Sequence, residues 1–345
     1  MDIIQQKVAF CHQIVPLVPR QIAGLFKFGL EALSFQSIKS LRANARLTQL
    51  SWHVAKTKMC RLLANGKIQK VFLELLVIRH MISQEDIIAV DFSDFKNGLQ
   101  VLMFAKQTNK GRAIPVYFEV LRHPILEKNS QNLFIIAAVK NFVKLIGCKP
   151  TLVFDRGFAC PSIIHFLSTK RYPFIVRVKK IKRFLNGKTK QVFLAKDAIK
   201  NDVLATAYQK HLRLIISDKP DNGNDPWYLV TNIFNDSREN IIETYYHRFE
   251  IEEFFKDAKR LLGLESVNFK KENSLSVALW FVILTTWFLW SMESMISETD
   301  EKLRKEMKLS YVRYFFERLE KTILQTAERE FQFSYLYLNP VYEKV

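Results

Sequence analysis

Thr151-Leu152-Val153-Phe154-Asp155-Arg156-Gly157 is a short β-forming run that ends in a carboxylate and a turn signal. An apolar run of this length, closed by Asp-x-Gly, predicts a buried strand with Asp155 at its end. Working forward, the pattern predicts a helix over 162–169 and a strand over Phe174 to Val178. Working back, the spacing of Phe134, Ile135, Ala138, Phe142 and Leu145 predicts a helix over 132–146. Before it lie β-rich runs at 87–92, 99–106 and 113–120, separated by Lys96-Asn97-Gly98 and Asn109-Lys110-Gly111. Three strands with such short connections make an antiparallel meander. Followed by helix, strand, helix and strand, they predict an α/β fold with a mixed sheet.

The flanks set the partner class. A chain of 345 residues has room for two or three structural units, and 48% hydrophobic with 25% charged residues excludes a largely disordered or fibrous protein. Against 34 Asp and Glu stand 52 Lys and Arg, a formal net charge of +18, which favours polyanionic partners through counterion release. Residues 1–85 hold 12 Lys or Arg and 4 Asp or Glu, with no acidic residue between Glu31 and Glu74. Their apolar spacing is helical: Leu47, Leu50 and Val54, a break near Lys56-Thr57, then Met59, Leu62 and Leu63, stopped by Asn65-Gly66. Two short helices, the second bearing Lys56, Lys58 and Arg61, suit a helix-turn-helix and equally a small bundle with a solvated basic face.

Residues 160–226 read as a basic, β-rich insertion, with 14 Lys or Arg against 5 Asp or Glu and a loop-rich exit over 218–226. A strand from Trp227 to Ile233 and a long helix from about Asp236 to Leu262 follow. Leu275 to Trp290 is uncharged and nearly long enough to cross a bilayer. It contains Ser276, Thr285 and Thr286 and has charged amphipathic flanks, so it reads as a core helix apolar on all sides. From Glu298 to Glu330 the pattern is a charged amphipathic tail. Cys11, Cys60, Cys148 and Cys160 form no C-x-x-C pair and no zinc-like spacing, and Met1 to Arg20 lacks a secretory signal. Reduced thiols, no structural metal, no membrane and an intracellular location are therefore expected.

Candidate chemistry rests on carboxylates. Asp91 ends Ile87-Ile88-Ala89-Val90 as Asp155 ends its own strand. Either Asp alone commonly opens a turn, whereas two at strand ends of one sheet offer hard oxygen ligands for Mg²⁺ or Mn²⁺. On the long helix, Tyr245, Arg248, Glu252 and Lys259 have helical separations and fall within about 60° of one another at roughly 100° per residue. Such a stripe is also what a solvated helix face with ordinary salt bridges looks like.

Tyr-x-x-Arg-x-x-x-Glu-x-x-x-x-x-x-Lys, here Tyr245, Arg248, Glu252 and Lys259, resembles the signature of DDE transposases of bacterial insertion sequences, specifically the insertion sequence four family. Val90-Asp91-Phe92-Ser93 and Phe154-Asp155-Arg156-Gly157-Phe158 resemble that family's first and second acidic motifs, over a span of about 86–264. The resemblance implies a ribonuclease-H-like mixed-sheet core at 86–292, interrupted by the β-rich insertion at 160–226. A helical DNA-binding region at 1–85 and a helical C-terminal tail at 293–345 would flank it. Asp91, Asp155 and Glu252 would hold two Mg²⁺ ions, with Mn²⁺ as a substitute, for in-line phosphodiester displacement. Tyr245, Arg248 and Lys259 would contact phosphates near the cut. Trp227 matches the place where relatives stack a flipped-out base, although a Trp opening a strand is commonly a core or rim residue. The implied activity is cut-and-paste transposition through strand nicking, hairpin formation and strand transfer. Its partners are double-stranded DNA, as terminal inverted repeats and target, and a second copy joining paired ends; its location is the cytoplasm, on the bacterial nucleoid. The rival reading is a transposase-derived DNA-binding protein that no longer cuts.

Overall fold

The computed structural model describes residues 3–48, 50–74, 81–124, 130–187, 189–198, 202–208, 210–218, 226–293 and 296–327. Helices α1 (Ile3–Ile14), α2 (Arg20–Leu33), α3 (Leu41–Arg46), α4 (Trp52–Ala64) and α5 (Gly66–Glu74) open the chain. Ser40 starts α3 by accepting the Ala43 N–H at 3.0 Å, and Asn65 starts α5 by accepting the Lys67 N–H at 2.9 Å. The break expected at Lys56-Thr57 is absent: α4 runs unbroken through it, and the interruption lies between Arg46 and Trp52. Thr57 is accommodated because its hydroxyl donates to the carbonyl of His53, one turn back, at 3.0 Å.

One ten-stranded sheet forms the centre among the described residues, in the order β3-β2-β1-β4-β5-β10-β9-β8-β6-β7. Its strands are β1 (Ile87–Asp94), β2 (Leu99–Lys106), β3 (Ile114–Arg122), β4 (Thr151–Phe154), β5 (Phe174–Val178), β6 (Arg183–Asn186), β7 (Val192–Leu194), β8 (Asp202–Ala207), β9 (Lys210–Ile216) and β10 (Tyr228–Thr231). Strands β1, β4 and β5 are parallel neighbours, and the other pairings are antiparallel. Helices α6 (Ser130–Ile146) and α7 (Pro161–Thr169) make the crossovers between parallel strands.

The fold class is thus mixed α/β, as expected from the pattern. The basic block at 160–226 is less separate than its composition suggests. Its first part, α7 and β5, belongs to the central run of the sheet, and β6 to β9 extend the same sheet through β10. Strands β6 and β8 escape the hydrophobic pattern because one face of this wing is open; Leu204 of β8 is 61% exposed. Of the loop-rich exit, residues 219–225 lie outside the described residues.

After β10 comes a helical run interrupted twice: α8 (Arg238–Tyr246), a 3₁₀ turn (His247–Phe249), α9 (Glu250–Lys256) and a π turn (Asp257–Leu261). Ser237 caps α8 by accepting the Asn240 N–H at 3.1 Å. The N–H of Leu262 reaches back five residues to the carbonyl of Asp257 at 2.8 Å, which closes the run with one residue too many for an α turn. Helix α8 covers one face of the sheet centre, where Ile241 and Tyr245 meet Val153, Ile175, Ile215 and Leu229. On the opposite face, Phe142 of α6 lies 4.7 Å from Phe104 and 5.7 Å from Tyr117.

The uncharged stretch forms α10 (Glu272–Ser291), in which every residue from Leu275 to Trp290 is buried. Protein meets it on all sides, as an all-round apolar helix requires. Phe281 lies 5.4 Å from both Phe26 and Phe72, Trp280 stacks on Phe72 at 5.1 Å, and Phe288 meets Phe35 at 5.3 Å. Trp280 also lies 4.8 Å from Phe118 of β3, and Trp287 donates to the carbonyl of Pro115 at 2.7 Å. Helices α11 (Glu298–Glu306) and α12 (Tyr311–Ala327) follow, and Val312, Phe316 and Leu319 join the same core. Residues 328–345 of the expected tail lie outside the described residues. Among the described residues, one continuous hydrophobic core therefore runs from the first helices through the sheet to α12.

Candidate active site

Strand register brings the two aspartates together. β1 and β4 pair in parallel from Ile87 with Thr151 to Val90 with Phe154. The next position on each strand is Asp91 on one and Asp155 on the other. Side chains alternate along a strand, so both carboxylates share the face of Val153, the face that α8 covers. A crevice at the carboxyl ends of parallel strands is a common place for ligand chemistry in α/β folds. Asp91 ends the pairing only on the β4 side: on the other side β1 continues to Asp94, with Asp91 opposite Met103 of β2. The expected strand end is thus strand interior toward β2, because the β1–β2 hairpin outlasts the parallel pairing.

Asp155 precedes the 3₁₀ turn Arg156–Phe158, and its carboxylate does not cap that turn. Its backbone carbonyl holds the turn instead, accepting the Phe158 N–H at 3.1 Å. The side chain points elsewhere and accepts from the Tyr245 hydroxyl at 3.5 Å. Asp91 accepts the Phe92 N–H at 2.8 Å through Oδ1 and Arg248 Nη1 at 3.1 Å through Oδ2. Burial pushes the Asp91 carboxyl up to about 6; Arg248 and the Phe92 N–H pull it down, and Asp155 and Glu252 push it further up.

Arg248, on the 3₁₀ turn between α8 and α9, is 3% exposed. Its guanidinium joins the two halves of the site: Nη1 bonds Asp91, while Nη2 donates to Glu252 Oε1 at 2.7 Å. The Phe249 ring lies 4.5 Å from it and the Tyr245 ring 5.7 Å, and its Nε is buried without an acceptor among the described residues. Glu252, one turn on, has a side chain 49% exposed. Tyr245 is fully buried, and burial, with the nearby Asp155 charge, pushes its hydroxyl up to about 12. It therefore acts as a donor rather than a phenolate.

Tyr245, Arg248, Glu252, Asp91 and Asp155 are thus brought together, and Lys259 is not. Lys259 sits within the π turn, and an i+5 turn takes a residue off the 100° grid of the α stripe. Its Nζ lies 5.0 Å from the Phe95 ring, beside a cavity of about 220 Å³ lined by Asp94, Lys96 and Glu265. Burial pulls its ammonium down, and Glu265 and Asp94 pull it back up. The larger cavity, about 550 Å³, is lined by Gln69, Tyr117, Glu119, Asn141 and Trp280 and contains none of the five clustered residues.

Trp227 stands at the rim. Its ring meets Tyr245 edge-on at 5.1 Å, with Phe249 at 6.0 Å and Tyr246 at 6.3 Å. Tyr246 is 60% exposed, so an aromatic ledge borders the carboxylates. Tyr246 and Phe249 are absent from the sequence reading; the signal available was that they flank Arg248 and Tyr245 on a helix whose buried face is already filled. Lys56 and Arg61 are exposed on α4, while Lys58 is half-buried and faces Glu31 of α2. Burial pushes the Glu31 carboxyl up, and Lys58 is the foremost charge opposing that rise. The exposed feature at the start of α4 is Trp52, with Arg42 and Arg46 stacked 5.2 and 5.4 Å from its ring.

Among the described residues no three His, Cys, Asp or Glu side chains are grouped closely enough to hold one ion as they stand. The reason is local, since Glu252 is turned onto Arg248. The donor chemistry nonetheless fits a hard divalent cation. Two carboxylates share one register step, and Asp91 is held up in pKa by burial and by its acidic neighbours, a strain that a cation relieves.

A family model described as "Transposase DDE domain" matches residues 134–288. That range contains Asp155, Trp227, Tyr245, Arg248, Glu252 and Lys259, and Asp91 precedes it. Among solved structures, the chain is similar to a piggyBac transposase synaptic complex with hairpin DNA, at 13% identity and a TM-score of 0.41, over 78% of this chain and 59% of that one. It is also similar to Aa-Ago with externally bound siRNA, at 10% identity and a TM-score of 0.25, over 59% of this chain and 34% of that one. The chain thus spans less than two thirds of the length of either. No curated protein matches it. The domain match at 134–288, which contains Asp155, Arg248 and Glu252 but not Asp91, supports a DDE-type transposase.

Proposed function

We propose that the chain is a metal-dependent DNA transposase of the insertion sequence four kind, with Asp91, Asp155 and Glu252 as its acidic triad. The observation that carries this reading is the register of β1 and β4, which sets Asp91 beside Asp155 beneath the turn that bears Arg248. The order β3-β2-β1-β4-β5, three antiparallel strands and then two parallel ones, supports a ribonuclease-H-like core.

Asp91, Asp155 and Glu252 would hold Mg²⁺, or Mn²⁺ in its place. Bound there, the ions supply Lewis-acid activation of the attacking water or 3′-hydroxyl and stabilise the leaving oxygen. The other residues act on position and charge. Tyr245 donates to Asp155 and sets its orientation. Arg248 offers a forked donor set that suits a phosphate, and Lys259 offers a point charge further along the DNA. Trp227, with Tyr246 and Phe249, presents a π surface suited to an unpaired base. Lys56 and Arg61, with the rest of the basic 1–85 segment, would grip the terminal inverted repeats, Lys58 contributing less because it faces Glu31. Cut-and-paste transposition through a hairpin, by two copies on paired ends at the bacterial nucleoid, is the corresponding biology.

A strand-cleavage assay tests this on DNA carrying the inverted repeats that flank the gene, with Mg²⁺ or with EDTA, for the native chain and Asp155→Asn. Metal-dependent nicking and hairpin formation, lost in the variant, is the expected result. Binding without cleavage in any divalent metal overturns it in favour of a non-cutting DNA-binding protein.

A further inference from the structure

We propose that Arg248 couples DNA binding to divalent-cation binding by exchanging one partner: a DNA phosphate takes Nη2 from Glu252, and the released carboxylate turns to Asp91 and Asp155. This rests on the transposase reading above and adds to it an order of loading, DNA before metal.

The two ends of the Arg248 contact differ in freedom. The guanidinium is fixed: it is buried, bonded to Asp91 at 3.1 Å and flanked by the Phe249 and Tyr245 rings. Glu252 is the freer member, with half of its side chain in solvent and, among the described residues, the 2.7 Å bond to Nη2 as its side-chain hydrogen bond. Replacing that carboxylate by a phosphate oxygen preserves a charge-assisted bond on Nη2 and needs no motion of the buried arginine. It also frees the carboxylate that leaves the acidic group short of a third member. Asp91 feels the charges of both Asp155 and Glu252, so each lies within electrostatic reach of it.

Without DNA, the Arg248 charge competes with a divalent cation for Asp91 and Glu252. With DNA, one of those claims is lifted. Because the coupling is a free energy shared by two ligands, whatever DNA does for the cation the cation does for DNA. Strand chemistry would then be switched on by the substrate itself, and the free protein would hold metal weakly.

The test measures Mn²⁺ affinity of the full chain from the electron paramagnetic resonance signal of the free ion. It is done with and without a short random-sequence duplex, since phosphate contact is independent of sequence. The duplex with Asp91→Asn protein gives the Mn²⁺ held elsewhere, which is subtracted. DNA should tighten Mn²⁺ binding to the native chain about 5-fold or more. Arg248→Gln should bind Mn²⁺ that tightly without DNA and gain little from it, and Glu252→Gln should remain weak in both conditions. Equal affinity of the native chain with and without bound duplex, or tightening that persists in Glu252→Gln, overturns the coupling; these two comparisons decide the matter even if Arg248→Gln does not fold. Failure of the duplex to bind at all, read by fluorescence anisotropy, overturns the transposase reading and this proposal with it.

Discussion

Arg248 Nη1 lies 3.1 Å from Asp91 Oδ2, a contact that spans 157 residues of sequence and joins the helical run after β10 to the centre of the sheet. Only 20% of the Asp91 side chain is exposed, so removing the guanidinium, itself 4% exposed, leaves the Asp91 carboxylate largely shielded from water and without its cation. Arg248→Ala should therefore cost about 3 kcal/mol, the lower end of what breaking a buried pair costs, because Glu252 sits at the solvent edge. Arg248→Lys should recover little of this, since a point ammonium cannot bond Asp91 and Glu252 in fork geometry. Urea unfolding of the two variants measures both losses, and equal stability of Arg248→Lys and the native chain would refute the bridging role.

The same aspartate makes stability depend on pH in a defined direction. Its ordinary value is 3.8, and burial raises it to about 6 in the folded chain. Between those values the folded protein holds a proton that the unfolded chain has lost, so the Asp91 contribution weakens as pH rises through about 4 to 6 and stays weakened above. Asp91→Asn removes the buried charge. In metal-free buffer the variant should match the native chain near pH 4 and exceed it at pH 7 by about 2–3 kcal/mol, at 1.36 kcal/mol per pKa unit. Thermal melts across that range would show the two curves diverging; parallel curves would mean that the carboxylate is better solvated than its burial implies.

Glu252 and Lys259 should separate chemistry from grip. Glu252→Gln removes a proposed ligand without touching the basic surface, so DNA binding should stay near native. Cleavage should fall by more than the roughly 10–100-fold that changes beyond the ligand shell produce. Lys259→Ala should leave nicking of bound DNA largely intact and lower the slope of log affinity against log salt by about one. Its place beside Phe95, with Glu265 and Asp94 as its charged neighbours, is the reason for expecting this division of labour. A Lys259→Ala protein with unchanged salt slope and lost cleavage would move Lys259 back among the reacting groups.

How far these arrangements could be read in advance depends on what each residue leaves in the pattern. The runs 99–106, 151–154 and 174–178 match their strands to the residue because β-formers give way there to polar or charged residues, Gln107, Asp155 and Lys179. The separations 245, 248 and 252 place three side chains on one stripe; Tyr245 reaches Asp155, Arg248 reaches Asp91, and Glu252 is tied in through Arg248. The 3₁₀ and π interruptions at His247–Phe249 and Asp257–Leu261 leave no such trace, because amphipathic spacing continues through both. They are visible only as hydrogen bonds, and Lys259 lies within the second of them. Nor does an arginine announce burial: long charged side chains are usually exposed, and Arg248 is enclosed only because sheet and helix bring carboxylates to both of its Nη atoms.

The final prediction concerns whether the basic N-terminal helices form a unit of their own. Gly29 of α2 lies so close to α10 that a Cβ placed on it would come within 2.2 Å of the Phe281 ring. Phe281 is itself wedged between Phe26 and Phe72 at 5.4 Å from each, so the ring has little room to yield. Gly29→Ala should force α2 and α10 apart and cost about 1–3 kcal/mol, the range for overpacking a filled core. If the helices of 1–85 were a separate domain, the loss would appear as an early, partial transition with the sheet unaffected. The continuous core from Ile4 through Phe281 to Leu319 predicts the other outcome, one cooperative transition shifted as a whole. Calorimetry of the native chain and Gly29→Ala distinguishes the two, and a split transition would support a domain boundary at residue 85.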